Sequence, residues 1–138
     1  MKKVSSEIHP GYNTSKNPVK TSKFLTGIIK NMKLSPVWEE GGLNAMVLCK
    51  KPEKKIVLTA LHKGTKIDSY QANDSITFQV MEGKLEFRAA KESVMLKKGH
   101  MLTLHEKIKY ILKSREETVY MLTIVIGGLQ NTLSDQHA

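Results

Sequence analysis

The stretch 78-FQVMEGKLEF-87 sets two short apolar-alternating runs on either side of Glu82-Gly83. Alternation with a period of two is the mark of a half-buried strand, and a glycine between two such runs supplies the positive φ of a tight turn. The stretch is therefore expected to be a β-hairpin turning at Glu82 and Gly83. On its first strand Ile76, Phe78 and Val80 share one face, taken as the inward one, while Thr77, Gln79 and Met81 share the other.

The same pattern continues in both directions. From about Leu43 onward, apolar runs recur every eight to twelve positions: 44-NAMVLC-49, 55-KIVLTAL-61, 66-KIDSYQ-71, 75-SITFQVM-81, 84-KLEFRA-89, 92-ESVMLK-97, 101-MLTLH-105, 108-IKYILK-113 and 118-TVYMLTIVI-126. The connectors, among them KKPEK, HKGT, AND, AK and SREE, are too short for crossover helices, so the sheet is expected to be antiparallel. Short strands at this spacing predict an all-β sandwich or barrel. Before it, residues 1–20 read as a flexible basic arm. Residues 21–42 read as a short helix, capped by Ser22 and carrying Phe24, Leu25, Ile28 and Met32 on one side, or as an extended dimerisation arm. Residues 43–127 form the barrel and 128–138 a flexible tail.

The 138 residues suit one domain, and 40% hydrophobic content allows a core. No apolar run reaches the roughly 18 residues of a membrane span, and no secretory leader is evident, so a cytoplasmic protein without a membrane partner is expected. Cys49 is the only cysteine, which rules out an internal disulfide. Residues 1–35 hold seven lysines against one acid, Glu7, so most of the formal charge of +9 sits in the arm. Arg88 and Arg115 are the only arginines and aromatics are few, which argues for a solvated lysine surface and against nucleic-acid binding.

The spacing of the glycines resembles that of the cupins, small jelly-roll barrels. Their first motif, G-x5-H-x-H-x3-4-E-x6-G, counted back from Gly83 with the shorter spacer, falls on Gly64, Tyr70, Ala72, Ile76 and Gly83. The second, G-x5-P-x-G-x2-H-x3-N, starts at Gly99 and falls on His105, Lys107, Tyr110 and Ser114. The separation of the two motifs is similar to that of compact single-domain bacterial cupins. The resemblance covers roughly residues 44–126 and implies an antiparallel jelly-roll β-barrel.

The resemblance also implies where a metal would sit, at Tyr70, Ala72, Ile76 and Tyr110. None is a usual ligand for iron, manganese, nickel or zinc, so neither a metal nor another cofactor is expected. In place of the metal, an apolar pocket with two phenols is expected, lined by Tyr70, Ala72, Ile76, Phe78, Tyr110 and Leu112 and suited to a small apolar or mixed-polarity ligand. The leading expectation is binding or sensing without catalysis. Alternatives are a metal-free isomerase or epimerase pairing His62 or His105 with Tyr70 or Tyr110, and a purely structural module. A homodimer is expected in each case, because an open sheet has edges and residues 20–35 carry apolar groups with no obvious place in the barrel.

Overall fold

A computed structural model describes residues 18–127, with side chains from residue 25 onward. The expectations for residues 1–17, for the tail 128–138 and for the Phe24 side chain lie outside it. Among the described residues, helices α1 (Pro18–Met32) and α2 (Pro36–Glu39) precede nine strands: β1 (Asn44–Lys50), β2 (Lys54–Leu61), β3 (Lys66–Tyr70), β4 (Ser75–Glu82), β5 (Lys84–Ala89), β6 (Glu92–Lys97), β7 (Met101–Leu104), β8 (Lys109–Ser114) and β9 (Thr118–Val125). Each strand lies within a residue or so of its apolar run. A five-stranded sheet in the order β1-β2-β9-β4-β7 faces a four-stranded sheet in the order β3-β8-β5-β6, and every pairing is antiparallel. This is a jelly roll.

The stretch 78–87 is not a hairpin. β4 belongs to the five-stranded sheet and β5 to the four-stranded one, so the chain passes from one sheet to the other at Gly83. Gly83 has φ +91°, and a Cβ there would run into the carbonyl oxygen of Glu117 and lie 2.7 Å from Thr118 Cα. The β4–β5 corner is thus packed against the β8–β9 corner. Hydrogen bonds stitch the two together: Arg115 N–H donates to Lys84 O (2.9 Å), and the Thr118 hydroxyl lies 3.1 Å from the same oxygen. The true hairpins are β1–β2, with the lysine-rich tip at Lys51–Lys54, and β5–β6.

Between the sheets, Phe78, Phe87, Tyr110 and Tyr120 pack with Leu61, Ile76, Val80, Leu85, Leu96 and Leu112. Phe78 sits centrally, its ring centroid 5.8 Å from Phe87, 5.6 Å from Tyr110 and 5.8 Å from Tyr120. Such aromatic pairs add roughly 0.5–1.5 kcal/mol each beyond area burial. Burial pushes the Tyr120 phenol up to about 12, partly offset by its hydrogen bond with Thr59.

A second cluster lies outside the barrel. Met32 and Trp38 pack on Leu58, Ala60 and Val119, joined by Leu25, Ile28, Ile29, Leu48, Met81 and Met121. Leu25, Ile28, Ile29 and Met32 follow the i, i+3, i+4, i+7 spacing of one helix face, which α1 lays across the outer surface of the five-stranded sheet. The helix begins at Pro18, so Ser22 lies within it and is not its cap. The cap that forms is Ser35, which accepts from Trp38 N (3.3 Å), with Pro36 opening α2. Lys33 ties the end of α1 to both corners through Glu82 and Glu117. Leu25, Ile28, Ile29, Met32 and Trp38 are therefore spent on the chain's own sheet, which removes that face of α1 as an argument for dimerisation.

Candidate functional site

The two sheets divide the six expected pocket residues. Ile76 and Phe78 on β4, and Tyr110 and Leu112 on β8, point into the barrel and are buried. Tyr70 does not: it is 54% exposed, pairs with Lys109, and its hydroxyl donates to Lys107 O at 3.4 Å. Ala72, in the loop after β3, is exposed as well. On β3 the inward positions are the odd ones. Ile67 packs against the core, and Ser69 pairs with Tyr110.

The physical reason is a one-residue choice. A shift of one position moves every side chain of a strand to the other face. The shorter motif spacer brings Gly64 into place. Gly64 does occupy a turn, with φ +87°, but that reflects the turn and not the facing of β3. The longer spacer brings Ser69 and Gln71 to the two histidine positions, and these lie on the inward side. Tyr70 and Tyr110 therefore do not meet inside the barrel, although both line an open groove of about 620 Å³ at the end of the four-stranded sheet.

Gln71 is only 1% exposed and serves as a clasp. Its Oε1 accepts from Asn73 N (2.9 Å), its Nε2 donates to Asn73 O (2.8 Å), and its backbone N–H donates to Ile108 O (2.9 Å). The barrel centre beside it is filled. Tyr110 stacks on Phe87 with centroids 5.5 Å apart and planes 18° from parallel, while meeting Phe78 edge-on.

A ligand-sized space with an apolar wall opens where the edge strands β6 and β7 face each other. A cleft of about 580 Å³ is lined by Phe87, Ala89, Val94, Leu102, Leu104 and Ile108, with Lys91, Glu92, Thr103 and Glu106 also on its walls. Phe87 and Ala89 belong to β5, Val94 to β6, and Leu102 and Leu104 to β7, so both sheets contribute. Val94 is 41% exposed although it pairs with inward-facing Phe87, because no strand lies beyond β6 to cover it.

Among the described residues no hydrogen bond or ring contact joins His62 or His105 to Tyr70 or Tyr110. His62 stacks on Trp38 and its Nε2 lies 2.8 Å from Trp38 O. Its backbone is held by Ser114, whose hydroxyl donates to His62 O (2.6 Å), and Ser114 is four residues beyond Tyr110, about 13 Å along a strand. His105 is exposed beyond β7. Among the described residues no three His, Cys, Asp or Glu side chains converge as a metal site would require.

No protein-family model matches the sequence, and no curated protein matches it. Solved structures do. A cupin superfamily protein from Desulfitobacterium hafniense aligns with TM-score 0.58 at 10% identity, over 61% of this chain and 77% of its own. The cupin domain of Cnp3 from Schizosaccharomyces pombe aligns with TM-score 0.59 at 18% identity, over 65% of each chain. A point mutant of salicylate 1,2-dioxygenase from Pseudoaminobacter salicylatoxidans gives TM-score 0.62 at 18% identity, over 81% of this chain and 35% of the dioxygenase. The chain has the cupin fold. Its structural neighbours include enzymes and proteins of unknown function alike, so the fold does not select an activity.

Proposed function

We propose that this cupin-fold chain binds a small, mainly apolar molecule in the cleft between β6 and β7, and holds it without transforming it. The observation that carries this reading is the pairing of an apolar wall with an aromatic floor: Phe87, backed by Tyr110, closes a cleft whose volume of about 580 Å³ falls in the ligand-sized range. The titratable residues on its walls are Lys91, Glu92 and Glu106, each exposed to solvent. Such groups orient a polar end of a ligand more readily than they exchange protons with a buried centre.

The test is titration with the neutral fluorophore N-phenyl-1-naphthylamine. A saturable 1:1 rise in emission is expected, weakened at least tenfold by Val94→Glu, which places a charge on the apolar wall at an already exposed position. Leu102→Gln is a second variant with the same expected direction. Absence of saturable binding, or equal binding by both folded variants, overturns the reading.

A further inference from the structure

The outer face of the four-stranded sheet points away from that cleft and has a different chemistry. Across it, Lys66 pairs with Lys113, Lys113 with Glu86, and Glu86 with Met95. The neighbouring row runs Asp68, Ile111, Arg88 and Ser93. Like charges directly opposite one another on antiparallel strands repel. Lys66 and Lys113 are such a pair, and the carboxylate beside them is already engaged.

Both oxygens of Glu86 are taken. Oε1 accepts from Arg115 Nε (2.8 Å) and from Arg115 Nη2, and Oε2 accepts from Ser93 Oγ (2.9 Å) and Arg88 Nη2 (3.1 Å). Those bonds, the one from Ser93 first, hold the Glu86 carboxyl below the usual carboxylate range. Glu86 therefore fixes two guanidinium groups in place while contributing one negative charge. Among the described residues Lys66 and Lys113 form no ion pair.

These groups enclose a recess of about 150 Å³ lined by Lys66, Glu86, Arg88, Ile111, Lys113 and Arg115. Four cations against one carboxylate leave it at a net +3. Each guanidinium has five N–H donors, and Glu86 uses three from the pair, so donors remain on both. The recess adjoins a groove of about 620 Å³ that shares Lys66, Arg88 and Ile111, continues to Asp68, Tyr70 and Lys109, and at the end of the sheet reaches Ser69, Ala89 and Tyr110. The Tyr70 hydroxyl reaches Lys107 O, and its exposed side chain lines that groove.

We propose that the outer face of the four-stranded sheet binds a small phosphorylated or sulfated molecule, its oxyanion among Lys66, Arg88, Lys113 and Arg115 and its organic part along Ile111 and Tyr70. A doubly charged oxyanion offsets most of the local excess and relieves the Lys66–Lys113 repulsion. Asp68 and Glu86 interrupt the positive charge along the face, which favours one recessed anion over the continuous track that a polymer backbone needs.

Isothermal titration with inorganic phosphate, phenyl phosphate and uncharged phenol tests this. Phenyl phosphate is expected to bind 1:1 and at least tenfold more tightly than inorganic phosphate, and phenol not to bind at this face. Lys66→Gln/Lys113→Gln is expected to weaken both phosphates at least tenfold without loss of thermal stability, and Lys66→Gln alone to act in the same direction. Tyr70→Ala is expected to bring phenyl phosphate to the level of inorganic phosphate. No saturable binding of phenyl phosphate, or unchanged binding by the folded double variant, overturns the proposal. So does tighter lysine-dependent binding of a single-stranded oligothymidylate or of phosphatidylglycerol vesicles, which assigns the face to a polymer or a membrane surface. None of these variants alters a residue on the β6–β7 cleft, so the two proposals fail separately.

Discussion

Trp38 and His62 lie ring on ring, their centroids 3.5 Å apart and their planes 17° from parallel, and the imidazole Nε2 is 2.8 Å from Trp38's own carbonyl oxygen. As the carbonyl only accepts, the proton resides on Nε2. One side chain at the end of β2 thus holds both the ring and the backbone of α2. His62→Phe keeps the stack and removes the hydrogen bond, with an expected loss of about 1 kcal/mol in urea unfolding. His62→Ala loses both and is expected to cost roughly 2 kcal/mol and to shift the emission of this sole tryptophan to longer wavelength. Unaltered stability and emission in both variants would show that the contact contributes nothing.

Gly83 and Gly64 share a positive φ and differ in their surroundings. An added Cβ at Gly64 meets nothing within 4 Å, whereas one at Gly83 collides with the β8–β9 corner. Gly64→Ala is expected to cost about 1–2 kcal/mol from backbone strain alone, and Gly83→Ala at least twice that. Equal denaturation midpoints for the two variants would contradict the close approach of the corners.

Lys33 responds to pH in a defined direction. Burial opposes its charge, but the hydrogen bonds to Glu117 and Glu82 outweigh that and raise it above the ordinary lysine value of 10.5. A raised folded-state value means that the contribution is complete below pH 10.5 and fades as the pH climbs through the higher folded value. Lys33→Met is expected to lose roughly 1 kcal/mol near neutrality, with the gap to the parent closing in alkaline solution. A gap that widens with pH would overturn this assignment.

The expected homodimer is to be sought away from the packed face of α1. Leu34, Val37, Leu43, Met46 and Val47, five of the large apolar side chains left exposed among the described residues, fall in one run from the end of α1 into β1, an edge strand. A dimer through this edge is the assembly to test by sedimentation at tens of micromolar, and Met46→Lys with Val47→Lys is expected to yield monomers. A monomeric parent protein would remove the proposal.

The strands are legible in the sequence because alternation and turn residues are local signals. Their assignment to sheets is not. A positive-φ glycine serves a hairpin and a sheet-to-sheet corner equally, and only the approach of Glu117 and Thr118 distinguishes the two at Gly83. The inward face of β3 turns on a one-residue spacer choice, so the motif count puts Tyr70 and Ala72 at positions that belong to Ser69, which pairs with Tyr110 and is itself exposed, and to buried Gln71. The docking of α1 does leave a trace: 55-KIVLTAL-61 and 118-TVYMLTIVI-126 are apolar on both faces, as strands covered on both sides are. The charged recess is invisible in the sequence because counting two arginines says nothing of where they meet, and here both meet on Glu86.

The place of β9 sets the order in which this protein can assemble. β2 and β4 are hydrogen-bonded to β9 and not to each other, and β8 likewise stands between β3 and β5. During synthesis the earlier strands emerge without their central partners, and the five-stranded sheet stays in two pieces until Thr118–Val125 has left the ribosome. Closure then joins segments far apart in the chain, the kind of pairing that slows folding. Until that moment Leu58 and Phe78 are without the strand that seals them, so the interval between translation and closure is when this chain is most exposed to aggregation.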